Sequence, residues 1–559
     1  MKTLTWVLVG VVACLLVAAG SFLWATGLMD SMYAYRSPLH AKAPAPGQPL
    51  AASGQSVTRR VVFVLIDALR EDTSRNSEVM PFLNELRDQG AWATMHSRPP
   101  SYSEPGYTVL LTGAWPGLSD GPTINLDYDQ IPTFTQDNLF SAAHRQGLKT
   151  AISGYNWFEK LVPQEAVDAS FYTPGEDKTA DREVVNAALP WLQQGGYQLI
   201  LIHIDQVDYA GHHEGGPRSP NWDAAARRAD DLLREIAAPL DLSQDTLFVC
   251  SDHGQIDRGG HGGQDPITLI EPFVLVGAGV NPGKYGDVQM VDVAPTLAAL
   301  LGTNIPASSQ GHVRTAMLRL PQAWLEKLPP ALKTQQSQLL ADYESAIGRD
   351  VPAGAGPDVV ASTQSAMEAA LQARLRAERL PRAVIALLAL AALLFGAYAI
   401  RKLDPAWLLG GALLYVFLFN FRYAVLDGRT YSLSSVASAG DLISYCAITA
   451  FLAMLLAWLA TALGLGLFRS TPLRAVEISL ALTFVIDGVL LLPVLWSFVW
   501  NGALVTWALP DFASMFLAFL SLVQILLVSV VGLLLAGIAA ALAAFVHQRK
   551  KEEVVATSS

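Results

Sequence analysis

The sequence predicts a doubly wound, mostly parallel α/β sheet joined to an all-α transmembrane part. Three observations lead there. The middle of the chain alternates short aliphatic runs with helical stretches. Its apolar residues gather at the two ends, in a composition that is 52% hydrophobic and only 16% charged. At 559 residues it is also too long for a single core. The formal net charge of -11 excludes a nucleic-acid partner, because binding a phosphate backbone needs a basic face.

Taken in order, residues 1–28 read as an N-terminal transmembrane signal anchor, since residues 4–28 are almost uncharged and about one bilayer long. A cleaved signal peptide is the alternative, with Ala18, Ala19 and Gly20 as a processing site. Residues 29–59 form a linker, rich in Pro, Ala, Gly and Ser over 37–56. Residues 60–320 form the globular domain, with strands expected at 61–66, 149–153, 198–204, 246–250 and 273–276. These runs are continuously aliphatic rather than alternating, which predicts a parallel sheet covered on both faces.

A helical connector over 321–380, interrupted by the Gly/Pro stretch 351–357, leads to a transmembrane domain over 381–547 and a tail over 548–559. The transmembrane domain should hold about five helices, at 383–400, 406–421, 442–467, 476–500 and 512–546. The last is long enough to break near Gly532. With about six spans in all, Lys2, Arg401, Lys402, Arg469, Arg474 and Arg549 to Lys551 fall on one side. This predicts cytoplasmic termini and an extracytoplasmic globular domain. Cys14 and Cys446 lie in apolar stretches and Cys250 ends a strand, so neither a disulfide framework nor a thiolate metal site is expected.

The chemistry-bearing residues stand where strands end, the edge at which open α/β sheets carry their sites. Asp67 follows the first strand. Alone it reads equally well as a helix cap. Asp208 and His212 form an Asp-x-x-Gly-His pattern whose carboxylate and imidazole converge on one cation if the glycine makes a tight turn. Asp205 and His213 flank them as solvated or supporting groups. Asp252 and His253 follow the strand at 246–250, and His261 lies in a Gly-Gly-His-Gly-Gly run that lets backbone approach closely. Three of the chain's ten histidines fall in these short motifs. Ser103, in Pro-Pro-Ser-Tyr-Ser-Glu-Pro-Gly-Tyr, is the candidate nucleophile, and a serine hydroxyl needs a base or a metal to react. On its own that segment reads as a Pro/Ser turn.

Together these motifs resemble the alkaline phosphatase superfamily, most closely its type I phosphodiesterase/nucleotide pyrophosphatase branch with the related GPI ethanolamine phosphate transferases. The resemblance runs from about Arg60 to Gly311 and includes Glu271-Pro272-Phe273-Val274 and Asp292-Val293-Ala294-Pro295-Thr296-Leu297 as its closing strand and helix. It implies an alkaline phosphatase-like fold and two divalent metal ions, zinc or else manganese. One would be held by Asp67, Asp252, His253 and the Ser103 hydroxyl, the other by Asp208, His212 and His261. It also implies substrate-binding positions at Gly106 and Tyr107. Phosphodiesterases of this group carry Asn where this chain has Gly106, so a donor to the phosphate is expected to be missing there. Tyr107 replaces the Arg that a sulfatase motif requires.

Three functions compete. The first is phosphodiester hydrolysis or head-group transfer on a membrane lipid or lipid-linked substrate through a phosphoserine intermediate, suggested by the number of helices. The second is an outward-facing phosphatase or nucleotide pyrophosphatase acting on soluble substrates. The third is a transporter or scaffold with an inactive enzyme domain, for which the intramembrane Asp487 is the motive. Substrate, acceptor and oligomeric state are left open.

Overall fold

Eight strands make one sheet in the order β4-β3-β5-β1-β6-β7-β2-β8 in this computed structural model. They are β1 (Arg60–Ile66), β2 (Ala91–His96), β3 (Thr150–Tyr155), β4 (Ala169–Thr173), β5 (Leu199–Ile204), β6 (Asp245–Cys250), β7 (Ile270–Gly277) and β8 (Gly283–Gln289). The structure describes residues 2–350, 356–436 and 438–558. Residues 351–355 of the expected Gly/Pro break lie outside them. Two compact units result, one of residues 1–31, 376–505 and 510–559, the other of residues 32–375 and 506–509.

The sheet belongs to the second unit. Its centre, β1, is buried along its whole length and pairs in parallel with β5 and β6. On one face Val62, Val64 and Ile66 pack with Ile200, Ile202 and Val249 beneath Trp222, Leu233 and Ile236 of the helix Pro220–Ala237. On the sheet itself Phe63, Phe248 and Phe273 make an aromatic row with ring centroids 4.8–5.0 Å apart. Truncating one such ring to alanine costs about 3–5 kcal/mol, so this row contributes substantially to holding the strand ends in register.

The expected strands at 61–66, 149–153, 198–204 and 246–250 correspond to β1, β3, β5 and β6, and they are parallel. The strand expected at 273–276 is β7, and it runs antiparallel to both neighbours. A continuous aliphatic run reports burial on both faces but not direction. Direction is set by the connection, and residues 251–269 return from β6 without a crossover helix.

Among the described residues, six helices are long and apolar enough to cross a membrane: Leu4–Tyr33, Val359–Ala399, Pro405–Leu426, Gly440–Gly464, Pro472–Asn501 and Phe512–Lys550. The boundary expected at residue 380 falls inside the continuous helix Val359–Ala399. The final helix is also continuous, over Phe512–Ser558. Gly532 does not break it: a Cβ there would come within 2.1 Å of Thr483 Oγ1, so this glycine lets two helix backbones approach. Asp487 accepts from Ser529 Oγ at 2.8 Å, and Tyr415 donates to Gln524 Oε1 at 3.1 Å.

Candidate metal centre and nucleophile

Where β1 ends, the backbone N–H of Asp67 still bonds Ile204 O of β5 at 2.8 Å. The next residue, Ala68, takes φ of +58° and donates its N–H to Asp252 Oδ1 at 3.2 Å. The carboxyl ends of β1, β5 and β6 are thereby tied into one floor, and all seven predicted ligands stand on or beside it.

Asp208 and His212 lie one helical turn apart on Gln206–His213, so helix geometry brings them to one face, with His212 Nε2 3.4 Å from Asp208 Oδ2. The tight turn expected for this motif is therefore a helix. Its glycine has another use: a Cβ at Gly211 would come within 2.1 Å of Gln255 Nε2, which donates to Asp208 Oδ1 at 2.6 Å. His261 completes this cluster with Nε2 2.9 Å from His212 Nε2 and 3.5 Å from Asp208 Oδ1.

Ser103 opens the helix Ser103–Thr112, every residue of which is buried. Its Oγ is 3.1 Å from His253 Nε2. Because His253 Nδ1 faces Gly254 O at 3.0 Å, that nitrogen carries the proton, and Nε2 accepts from the serine hydroxyl. The same logic applies to His261, whose Nδ1 donates to Ser101 O at 2.9 Å and leaves the Nε2 lone pair toward the cluster. Both rings, stacked with centroids 3.8 Å apart, therefore present ligand nitrogens.

Ligand atoms of Asp208, His212 and His261 lie within 4.8 Å of one another, as do those of Asp67, Asp208 and His253. Asp67 Oδ1 and Asp252 Oδ2 are buried with no hydrogen-bond partner. Uncompensated carboxylates in such a setting are expensive. Burial, then the neighbouring Asp67, pushes the Asp252 carboxyl well above its ordinary range, and burial with Asp67 and Asp208 does the same to Asp205. Burial would raise Asp208 too, but His212 and His261 hold it below its ordinary value. Burial and His253 lower His261, keeping it a neutral donor. Orphaned carboxylate oxygens beside neutral imidazoles are a donor set that fits divalent cations.

Of the two positions expected to bind substrate, Tyr107 is 1% exposed and stacked on Phe158, and its hydroxyl bonds Asp67 Oδ2 and His203 Nε2. Gly106 has no room for a side chain, since a Cβ there would lie 2.8 Å from Asp252 Cβ. The amide expected to be missing has a counterpart elsewhere: Asn125 Oδ1 accepts from the N–H of Glu104, the residue after Ser103, at 3.1 Å. Sequence reasoning also passed over His203, which contacts Asp67 Oδ2 at 3.0 Å, and left Asp205 undecided where the structure groups it with Asp67 and His203. A lone imidazole inside the apolar run Leu-Ile-Leu-Ile-His-Ile was the available signal for the first.

Residues 61–119 and 123–269 match the family model described as type I phosphodiesterase / nucleotide pyrophosphatase, a span that contains Ser103 and all the predicted ligands. The chain is 30% identical over 300 residues to the human GPI ethanolamine phosphate transferase 2, catalytic subunit, covering 49% of this chain and 30% of that one. It is 26% identical over 308 residues to GPI ethanolamine phosphate transferase 2 of Aspergillus fumigatus, covering 50% and 40%. The chain thus spans less than half the length of these curated relatives. Among solved structures, human ectonucleotide pyrophosphatase / phosphodiesterase 5 aligns with 44% of this chain and 95% of its own, at 13% identity and a TM-score of 0.37.

Proposed function

We propose, for a chain whose residues 61–269 are related to the type I phosphodiesterases and nucleotide pyrophosphatases, that it is a membrane-bound phosphoryl-transfer enzyme acting on a lipid phosphodiester. In this reading it moves a head-group phosphate such as phosphoethanolamine to a hydroxyl acceptor, and its relatives are named as ethanolamine phosphate transferases. The observation that carries the reading is the convergence on Ser103 Oγ of a ligand set built from three strand ends, in a chain that also has six membrane-length apolar helices.

Asp67, Asp252, His253 and Ser103 Oγ would hold one divalent ion, and Asp208, His212 and His261 the other, with zinc preferred and manganese the alternative for these donors. Such ions supply Lewis-acid charge that lowers the serine pKa and offsets charge on phosphate. The chain's residues do the rest. Without an ion the Ser103 hydroxyl donates to His253 Nε2; with one, that nitrogen would be a ligand and the hydroxyl proton would be free to leave. Ser103 Oγ forms a bond to phosphorus as the bond from phosphorus to the lipid oxygen breaks, and the proton passes to that leaving oxygen. The Asn125 side chain, whose Oδ1 accepts from the Glu104 N–H, would offer its NH2 group to the phosphate oxygens as negative charge grows there. An acceptor hydroxyl, or water, then bonds to phosphorus as the bond from phosphorus to Ser103 Oγ breaks, and its proton returns to Ser103.

With full-length protein in phosphatidylethanolamine vesicles, diacylglycerol release is expected to exceed cleavage of a soluble nucleotide pyrophosphate by at least about tenfold in kcat/KM, because a lipid presented in the bilayer gains proximity. Chelation should abolish it. Rapid nucleotide cleavage with lipid untouched would instead favour the soluble-substrate reading, which the family description supports. Asp487, the motive for a transporter role, accepts from Ser529 on one oxygen and keeps the other buried without a hydrogen bond.

The loop charges support a globular domain outside the cytoplasm and termini inside. The three native cysteines are buried, so the background for thiol labelling is low. In intact cells an impermeant thiol reagent should modify Ser53→Cys and spare Thr557→Cys. Labelling of the second alone would reverse the orientation.

A further inference from the structure

The row of strand ends that carries the predicted ligands continues beyond β1 to β5, β3 and β4, which lie side by side. Asp205 follows β5 directly, Tyr155 closes β3, and Glu176 lies three residues past β4. Asp205 is 7% exposed, and its carboxylate makes no hydrogen bond or ion pair among the described residues. After burial, the groups that raise this carboxyl are Asp67, Asp208, Asp181 and Glu176, all of them acidic. His203, two residues earlier, turns its Nε2 to Tyr107 and Asp67. Neither ion of the proposed pair uses Asp205. An acid so deeply placed among other acids is costly unless something cationic meets it.

Tyr155 joins Asp205 to Glu176. Its hydroxyl donates to Glu176 Oε1 at 2.8 Å, and after burial and Glu176 the next group to raise that hydroxyl is Asp205. Trp157 meets the Tyr155 ring edge-on, with centroids 4.9 Å apart. Tyr155, Trp157 and Glu176 are all partly exposed. With the His203 Nε2 already engaged and one wall aromatic, this is a poor cage for a further metal ion. Carboxylates beside an aromatic corner are the chemistry that takes an organic ammonium. The place is close to the nucleophile as well. Ligand atoms of Asp205 and Asp67 lie within 4.8 Å of each other, and Asp67 Oδ1 is 3.4 Å from His253 Nε2, the atom that faces Ser103 Oγ.

We propose that Asp205, Glu176, Tyr155 and Trp157 form a subsite for a primary ammonium, the far end of a phosphoethanolamine group whose phosphate sits at Ser103. Only two carbons separate that ammonium from the ester oxygen, so both ends are held at once. The subsite rests on the transferase reading for the position of the phosphate, and it adds the feature that selects an amine-bearing head group. Its residues bind and orient, and Ser103 remains the only reacting group.

The test uses full-length Ser103→Ala protein in detergent micelles with zinc present, titrated calorimetrically with phosphoethanolamine and with propyl phosphate, which carries a methyl group in place of the ammonium. This parent should bind phosphoethanolamine about tenfold more tightly, the scale of one charge-assisted contact. In the same background D205N and E176Q should each remove most of that preference. Both should bind propyl phosphate no more weakly than the parent does, since neither side chain touches the phosphate. E176Q keeps the test decisive if D205N fails to fold, because Glu176 is partly exposed. Equal affinity of the parent for the two phosphates, or no binding of either, would overturn the proposal. So would full preference in both variants, or loss of an ion from D205N on metal analysis, which would make Asp205 a metal ligand. A preference that D205N and E176Q remove, in a protein whose wild type transfers no lipid head group, would uphold the subsite while overturning the transferase reading. Head-group transfer by a protein without the preference would do the reverse.

Discussion

Asp252→Ala should lower turnover by about a thousandfold or more, the scale on which removal of a metal-dependent nucleophile's support is felt. Asp252 is 1% exposed, and its Oδ1 bonds the Ala68 N–H while Oδ2 makes no hydrogen bond and lies 3.4 Å from His253 Nε2. Truncation therefore removes a ligand oxygen and leaves one backbone N–H to water. The sheet and its connections do not depend on it, so the protein should fold, and its metal content should fall by about one ion per chain. A second readout separates this from a structural role. Burial and Asp67 raise the Asp252 carboxyl. In metal-free protein the folded state therefore binds that proton more tightly than the unfolded state, so stability falls as pH rises from the ordinary carboxylate range upward. Metal-free Asp252→Ala should lose stability over that window less than metal-free wild type. Unchanged turnover with full metal content would show that Asp252 is not a ligand.

Gly106→Ala should cost about a hundredfold in turnover through geometry alone. An added Cβ would stand 2.8 Å from Asp252 Cβ and 3.0 Å from Asp252 O, and neither is the end of a flexible side chain. The helix Ser103–Thr112 and the loop at Asp252 and His253 must then move apart, and Ser103 lies in the first turn of that helix. A displacement near 1 Å at a reacting atom is enough for such a loss. Asp208 and His212 stand on the separate helix Gln206–His213, so the ion they would share with His261 should be kept. Wild-type kinetics for Gly106→Ala, measured on a soluble aryl phosphodiester, would show that the helix has slack the structure does not display.

The sheet's centre was legible because β1, β5 and β6 are fully buried, and full burial writes itself as an unbroken aliphatic run. The other strands carry weaker signals. β2 alternates buried with half-buried residues, β4 is a short edge strand, and β8 is an edge strand with mostly exposed positions and two glycines. The direction of β7 depends on a connection and leaves no mark in its own residues. Asp67, Asp208, His212, Asp252, His253 and His261 were legible because strand ends concentrate chemistry in such sheets. The surroundings of Tyr107 were not legible: its place three residues beyond Glu104 says nothing of where its hydroxyl points, and packing against Phe158 and His203 sends it to Asp67. Asn125 lies 22 residues from Ser103 and reaches its neighbour through a loop, a proximity that no local pattern encodes.

The most direct test of the account is the chemistry of Ser103 itself. Full-length protein in phosphatidylethanolamine vesicles is quenched in acid during turnover, and the peptide containing Ser103 is analysed by mass spectrometry. The account predicts a phosphoethanolamine group esterified to Ser103 Oγ, absent from Ser103→Ala, which should also lose head-group release. Undiminished release by Ser103→Ala, or an adduct on another residue, would contradict it.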